Sequence, residues 1–151
     1  MSYRKVTHQI EVPASPQNVF KILHTPSAIR RWWSASSAIV IAKADGLWCA
    51  TWGEKEDDPD YISASTIKIF DPPRRMLLAD PKYFAKSGAL PFKPEMTIEF
   101  IVEPAPSGSL LKVIQDKFPA DPIADEFYAG CVVGWKNTFD AIKKFVEGRS
   151  S

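Results

Sequence analysis

Val6, His8, Ile10 and Val12 share one parity and Thr7, Gln9 and Glu11 the other, a period of two that predicts a half-buried strand ended by Pro13. Two short helices are expected next. Ser15-Pro16 and Thr25-Pro26 each put a capping side chain before a proline, which loses no hydrogen bond at the first helical position. Val19, Phe20 and Leu23 form the inward stripe of the first helix, and the second ends near Trp32-Trp33. Strands are then predicted at 37–41, 47–55, 61–70, 76–79, 96–103 and 109–118, separated by polar or proline-rich turns. Residues 80–94 read as a loop that packs down through Tyr83, Phe84, Leu90 and Phe92. From Asp121-Pro122, Phe127, Cys131, Trp135, Phe139, Ile142 and Val146 recur at helical spacing. One continuous helix is expected as far as Val146, with Lys143 and Lys144 suiting its dipole and Gly148 as its stop. Gly130 and Gly134 share a face at i, i+4, and a close approach of a strand or of cavity contents is expected there.

Consecutive strands joined by short turns pair antiparallel, so the pattern predicts an α+β fold. Its sheet has six to seven strands and curves around the C-terminal helix, as one domain over residues 1–151. The inward set comprises Trp48, Trp52, Ile67, Ile69, Met96, Ile98, Phe100, Leu111, Val113 and Trp135. It mixes large rings with flexible methionine and few polar groups, as an apolar pocket does and a reaction site does not.

Charge narrows the partners. The 19 Lys and Arg nearly balance the 18 Asp and Glu, which leaves no electrostatic footprint for nucleic acid. No stretch is long and apolar enough for membrane insertion, and the opening residues lack a secretory signal's apolar core, so the cytoplasm is the expected compartment. Cys49 and Cys131 lie far apart without metal or redox spacing and read as small buried hydrophobes.

Several residues bear on chemistry, each with an ordinary reading beside it. Trp33, Trp48, Trp52 and Trp135 either wall a pocket, with indole N–H groups as polar handles, or fill the core. Gln115 shares a face with Leu111 and Val113; buried, its amide would need partners, whereas a solvated strand end leaves it exposed, the favoured reading. Tyr128 and Cys131 are face neighbours on the long helix, and the phenol either donates to a ligand or covers the rim. No histidine stands near either cysteine to activate a nucleophile. His8 reads as a structural histidine and His24 as a capping residue suited to a helix C-terminus. The acidic run 54–60 lacks a calcium-loop pattern and reads as a solvated hairpin tip. Arg30-Arg31 reads as an exposed basic pair beside buried rings, with phosphate or partner binding as the alternative. No catalytic constellation, metal site or cofactor motif is recognised.

Certain segments resemble a known group: Ile10-x-Val12-x-Ala14-Ser15-Pro16-x-x-Val19-Phe20, Trp32-Trp33, Asp71-Pro72-Pro73-Arg74-Arg75-Met76, Gly108-Ser109 and Gly134-Trp135. In this order they resemble AHSA-type domains, homologues of the activator of the heat-shock-protein-90 ATPase. That group lies within the START and birch-pollen-allergen-like (SRPBCC) superfamily. The resemblance implies a helix-grip fold with a cavity between sheet and long helix. It also implies a carrier of a small apolar or aromatic molecule, with no cofactor, and a connection with stress response. The expected ligand-facing residues are the inward set above together with Trp33, Gln115, Tyr128 and Cys131. Two alternatives stand beside the carrier. One is a cyclase- or lyase-like enzyme using Tyr128, Gln115 or His8; the other is an interaction module with a chaperone partner by analogy, or a homodimer. The absence of a companion domain weighs against the interaction module, and fold alone does not choose.

Overall fold

The computed structural model describes residues 2–149, the side chain of Arg149 excepted. Seven strands form one antiparallel sheet: β1 (Tyr3–Val12), β2 (Ser37–Val40), β3 (Leu47–Trp52), β4 (Tyr61–Asp71), β5 (Arg75–Ala85), β6 (Thr97–Ala105) and β7 (Gly108–Pro119). Their spatial order is β1-β7-β6-β5-β4-β3-β2. Strands β2 to β7 are thus a meander, and β1 returns to the far edge to pair with the last strand. Helices α1 (Pro16–Ile22) and α2 (Pro26–Trp32) connect β1 to β2, and α3 (Asp125–Arg149) closes the described chain. This is the α+β helix-grip architecture, a sheet wrapped on a C-terminal helix.

Local chemistry explains most boundaries and corrects some expected ones. Ser15 caps α1 by accepting from the Asn18 N–H at 3.2 Å. Thr25 makes no such cap; its hydroxyl donates back to the Lys21 carbonyl at 2.6 Å. Asp121 accepts from the Ile123 N–H, but what it starts is a 3-10 turn, Pro122–Ala124, and the α-helix proper begins at Asp125. That helix passes through Gly148 instead of stopping there. Gly130 and Gly134 do not interrupt it and make no close approach: a Cβ built on either finds no atom within 4 Å outside its own turn of helix. Strand β3 ends at Trp52, before Gly53 at φ 143°, three residues short of the expected Lys55.

The largest correction concerns β5, which runs to Ala85 instead of ending at Ala79. Two bulges make this possible. On β5, Asp80-Pro81 stand opposite the single residue Ser65, with Asp80 at φ 52°. On β4, Lys68 is the extra residue between Ile67 and Ile69. A bulge absorbs a proline that the ladder would refuse, and it shifts side-chain parity by one. Lys68 and Asp80 form an ion pair at 3.0 Å that joins the two irregularities. The shift turns Tyr83 to the inner face opposite Ser63 and turns Ile69 out, opposite Leu77, whose next neighbour is Glu99. Ile69 therefore does not belong to the inward set, and Phe70 takes its place against the core. On β7 a third irregularity, at Lys117 (φ 65°), keeps Gln115 and Phe118 on the same inner side.

The core is continuous from α1 and α2 through the sheet to α3, with Phe20, Ile29, Trp32, Ile67, Phe100, Leu111 and Phe139 sealed inside. The backbone of α3 comes closest to β1 and α2, and across the middle strands large side chains span the distance. No helix among the described residues is long and apolar enough to cross a membrane.

Candidate functional site

The space between α3 and the sheet is lined by rings that meet in a chain. Trp33, at the end of α2, lies within 5.1–5.5 Å, centroid to centroid, of Trp32, Trp48, Trp52 and Trp135. Trp135 in turn stands edge-on to Phe100 and Phe139. Toward the start of α3, Phe127 meets Tyr83, Phe92 and Phe118, and Tyr83 meets Tyr61. Edge-to-face pairs of this kind add to area burial and define the wall geometry.

The indole N–H groups are mostly spent on the frame. Trp32 donates to the Ile22 carbonyl, Trp48 to the Leu23 carbonyl and Trp52 to the Trp33 carbonyl, all at 3.0–3.1 Å. The first closes the α1–α2 corner, and the other two tie that corner to β3. They remove two of the four expected polar handles, Trp48 and Trp52. Trp33 alone among the five has no hydrogen-bond acceptor among the described residues, and it is half-buried.

Trp135 uses its N–H on Gln115, at 2.7 Å to Oε1. Gln115 is buried at 7% exposure, which overturns the solvated reading favoured from sequence. An indole N–H only donates, so it fixes the amide orientation: oxygen toward Trp135, Nε2 away from it. That Nε2 has no protein partner among the described residues, yet no buried side-chain nitrogen or oxygen there is left unsatisfied, so the amine is not sealed. It is a donor on the inner face of the sheet, among mostly apolar side chains.

The remaining expected residues divide by depth. Trp48, Ile67, Phe100, Leu111 and Val113 are fully enclosed core, and Met96 nearly so. Trp52, Ile98 and Cys131 are half-buried and border the ring chain. Burial pushes the Cys131 thiol up to about 11, so at neutral pH it is a neutral thiol and no nucleophile. Burial, with Tyr61 beside it, raises the Tyr83 phenol above its usual range, and that hydroxyl too stays protonated. Tyr128 does not reach inward: its hydroxyl donates to the Lys5 carbonyl at 2.8 Å, and Arg4 lies over its ring at 4.5 Å. His8 rests against Phe139 at 5.4 Å. Gln115, Tyr128 and His8 are not hydrogen-bonded to one another, so the three acid–base residues of the enzyme alternative do not form a constellation. His24 is no dipole cap; it is wedged between Phe20 and Phe70. In the acidic hairpin tip, Asp58 and Asp60 pair with Lys86.

Sequence reading missed Tyr61 and Tyr83 as wall residues, and placed Phe92 and Phe127 only as packing residues. Tyr83 was read in the packed-down loop 80–94, whereas the bulge at Asp80-Pro81 carries it on β5, facing inward opposite Ser63.

A seven-stranded sheet closed on a C-terminal helix, with two short helices after the first strand and an aromatic-lined interior, defines a helix-grip protein of the SRPBCC type. Residues 13–147 match the family model described as "Activator of Hsp90 ATPase homolog 1-like protein", and the chain belongs to that family. Solved structures agree on the fold. Protein MLL2253 from Mesorhizobium loti is similar with a TM-score of 0.77 at 15% identity, over 95% of this chain and 97% of that one. The Aha1 dimer from Colwellia psychrerythraea has a TM-score of 0.74 at 14% identity, over 95% and 96% of the two chains. The AHSA1-like protein from Aeromonas hydrophila has a TM-score of 0.72 at 16% identity, over 97% and 94%. No curated protein matches the sequence.

Proposed function

We propose that this chain binds a small apolar, ring-containing molecule between the sheet and α3, in the cytoplasm. The observation that carries the reading is the Gln115 amide. It is held by Trp135 with its Nε2 uncommitted; Ile98 stands opposite it on β6, and Trp33 meets the Trp135 ring. Pockets for small molecules have this composition, mostly rings with one or two fixed polar groups that orient the ligand. The ligand this suits carries one acceptor, a carbonyl or hydroxyl, on a flat apolar body. The neutral Cys131 and Tyr83 favour binding over covalent chemistry.

Native mass spectrometry of protein purified from cells, followed by titration of tryptophan fluorescence with an apolar aromatic library, tests this. Saturable quenching is expected, because Trp33, Trp52 and Trp135 would all adjoin the ligand. Ser63→Phe and Cys131→Phe fill the space from the sheet and from the helix and should each abolish it. Across such a library, absence of saturable binding by folded protein would overturn the proposal. A second reading, docking on a partner protein, has one feature in its favour: Val132 and Val133 stand exposed on α3, at 45% and 60%. Retention of full binding in both Phe variants would shift weight to it.

A further inference from the structure

A groove of about 590 Å³ opens where α1 and α2 meet the last turns of α3. Its apolar wall is Ile22, Ala28, Phe145 and Val146. Its polar side carries Lys21 and Arg31, with Asn18, Thr25 and Ser27 among them, and none of its lining residues is Asp or Glu. Lys21 and Arg31 form no ion pair among the described residues; Arg31 instead lies over the Phe145 ring at 5.7 Å. The groove near Tyr3 differs in this respect: it mixes Lys82, Lys93 and Lys117 with Asp80 and Glu95. Those two acids are already engaged, by Lys68 and Tyr3.

We infer that the α1–α2–α3 groove is a binding site for a small organic anion, a carboxylate, sulfonate or phosphate joined to a flat apolar body. A guanidinium and an ammonium lining one concavity, with no carboxylate among its described lining residues, leave two positive groups for a ligand to neutralise. The adjacent apolar wall takes the body, and the volume is that of a small-molecule site. Of the Arg30-Arg31 pair, only Arg31 lines the groove, which separates a ligand-facing residue from a solvated one. This site shares no lining residue with the aromatic enclosure, so either assignment can fail without the other.

The probe is 2-naphthalenesulfonate, titrated into isotopically labelled protein and followed by amide chemical shifts. Neutral 2-naphthalenemethanol and phosphatidylserine-containing vesicles serve as parallel arms. Saturable shifts at Lys21, Ser27, Ala28 and Val146 are expected, and little response to the alcohol. K21Q combined with R31Q should weaken the sulfonate about tenfold or more, both side chains being exposed enough to leave the fold intact. K82Q with K93Q, on the other groove, should leave it unchanged. Raising the salt about tenfold should weaken binding to the wild-type protein, a readout that needs no variant. Equal affinity for the alcohol, shifts centred on Tyr83 and Phe127, indifference to salt, or unchanged affinity in the double variant would each overturn the proposal. So would binding to the vesicles without binding to the soluble sulfonate.

Discussion

Among the described residues, Trp135 donating to Gln115 is the one buried side-chain hydrogen bond between α3 and a strand. Gln115→Leu keeps the shape but strands the indole N–H, and chemical denaturation should show a loss of about 1–3 kcal/mol. Trp135→Ala removes the ring as well, for an expected loss of about 3–5 kcal/mol. A loss well below that range would mean that the space around the ring is already partly open. His24 adds a pH dependence. Burial between Phe20 and Phe70, assisted by Lys21, lowers its pKa from 6.5. The unfolded chain then binds the proton more readily than the folded one, so stability rises with pH across that window. The contribution is complete above pH 6.5 and is lost as pH falls through the lowered folded value. Urea melts of His24→Phe against the parent should show a shallower acid-side slope in the variant, and an unchanged slope would disprove the assignment.

At the scale of elements, glycines in similar surroundings by sequence have opposite roles. Gly130 and Gly134 sit inside α3 with open space where a Cβ would go. Alanine at each should stabilise by up to about 1 kcal/mol, read as a higher melting temperature. Gly108 opens β7 at φ 140°, with a Cβ placed 2.7 Å from the Ala14 backbone, so Gly108→Ala should lower it. Periodicity and cap-proline pairs located the three α-helices and the seven strands, because one-sided burial leaves alternation and helical stripes, but the second half of β5 was read as loop. Periodicity could not recover parity beyond a bulge. Tyr83, Ile69 and Phe118 change or keep their side through single inserted residues, at Asp80-Pro81, Lys68 and Lys117, that leave no mark on hydrophobicity. Depth at a strand end was equally hidden. Gln115 looked solvated because only the tertiary partner on α3 makes burying an amide tolerable.

For the molecule as a whole, fold is retained in relatives at 14–16% identity with TM-scores of 0.72–0.77. That is intelligible where backbone ladders and the α1–α2 indole bonds set the frame, while interior side chains adjust to different contents. The pairing of β1 with β7 carries a kinetic consequence. Strands β2 to β7 can zip through neighbouring hairpins, whereas Val6 must find Gln115 across almost the entire chain. Closing that loop costs entropy before any contact repays it, which places the protein among slow, millisecond-to-second folders. Helix α3 packs chiefly on β1, so it too waits for that strand. Val6→Ala should therefore slow the refolding limb of the chevron, and an unchanged refolding limb would place the β1–β7 pairing after the rate-limiting step.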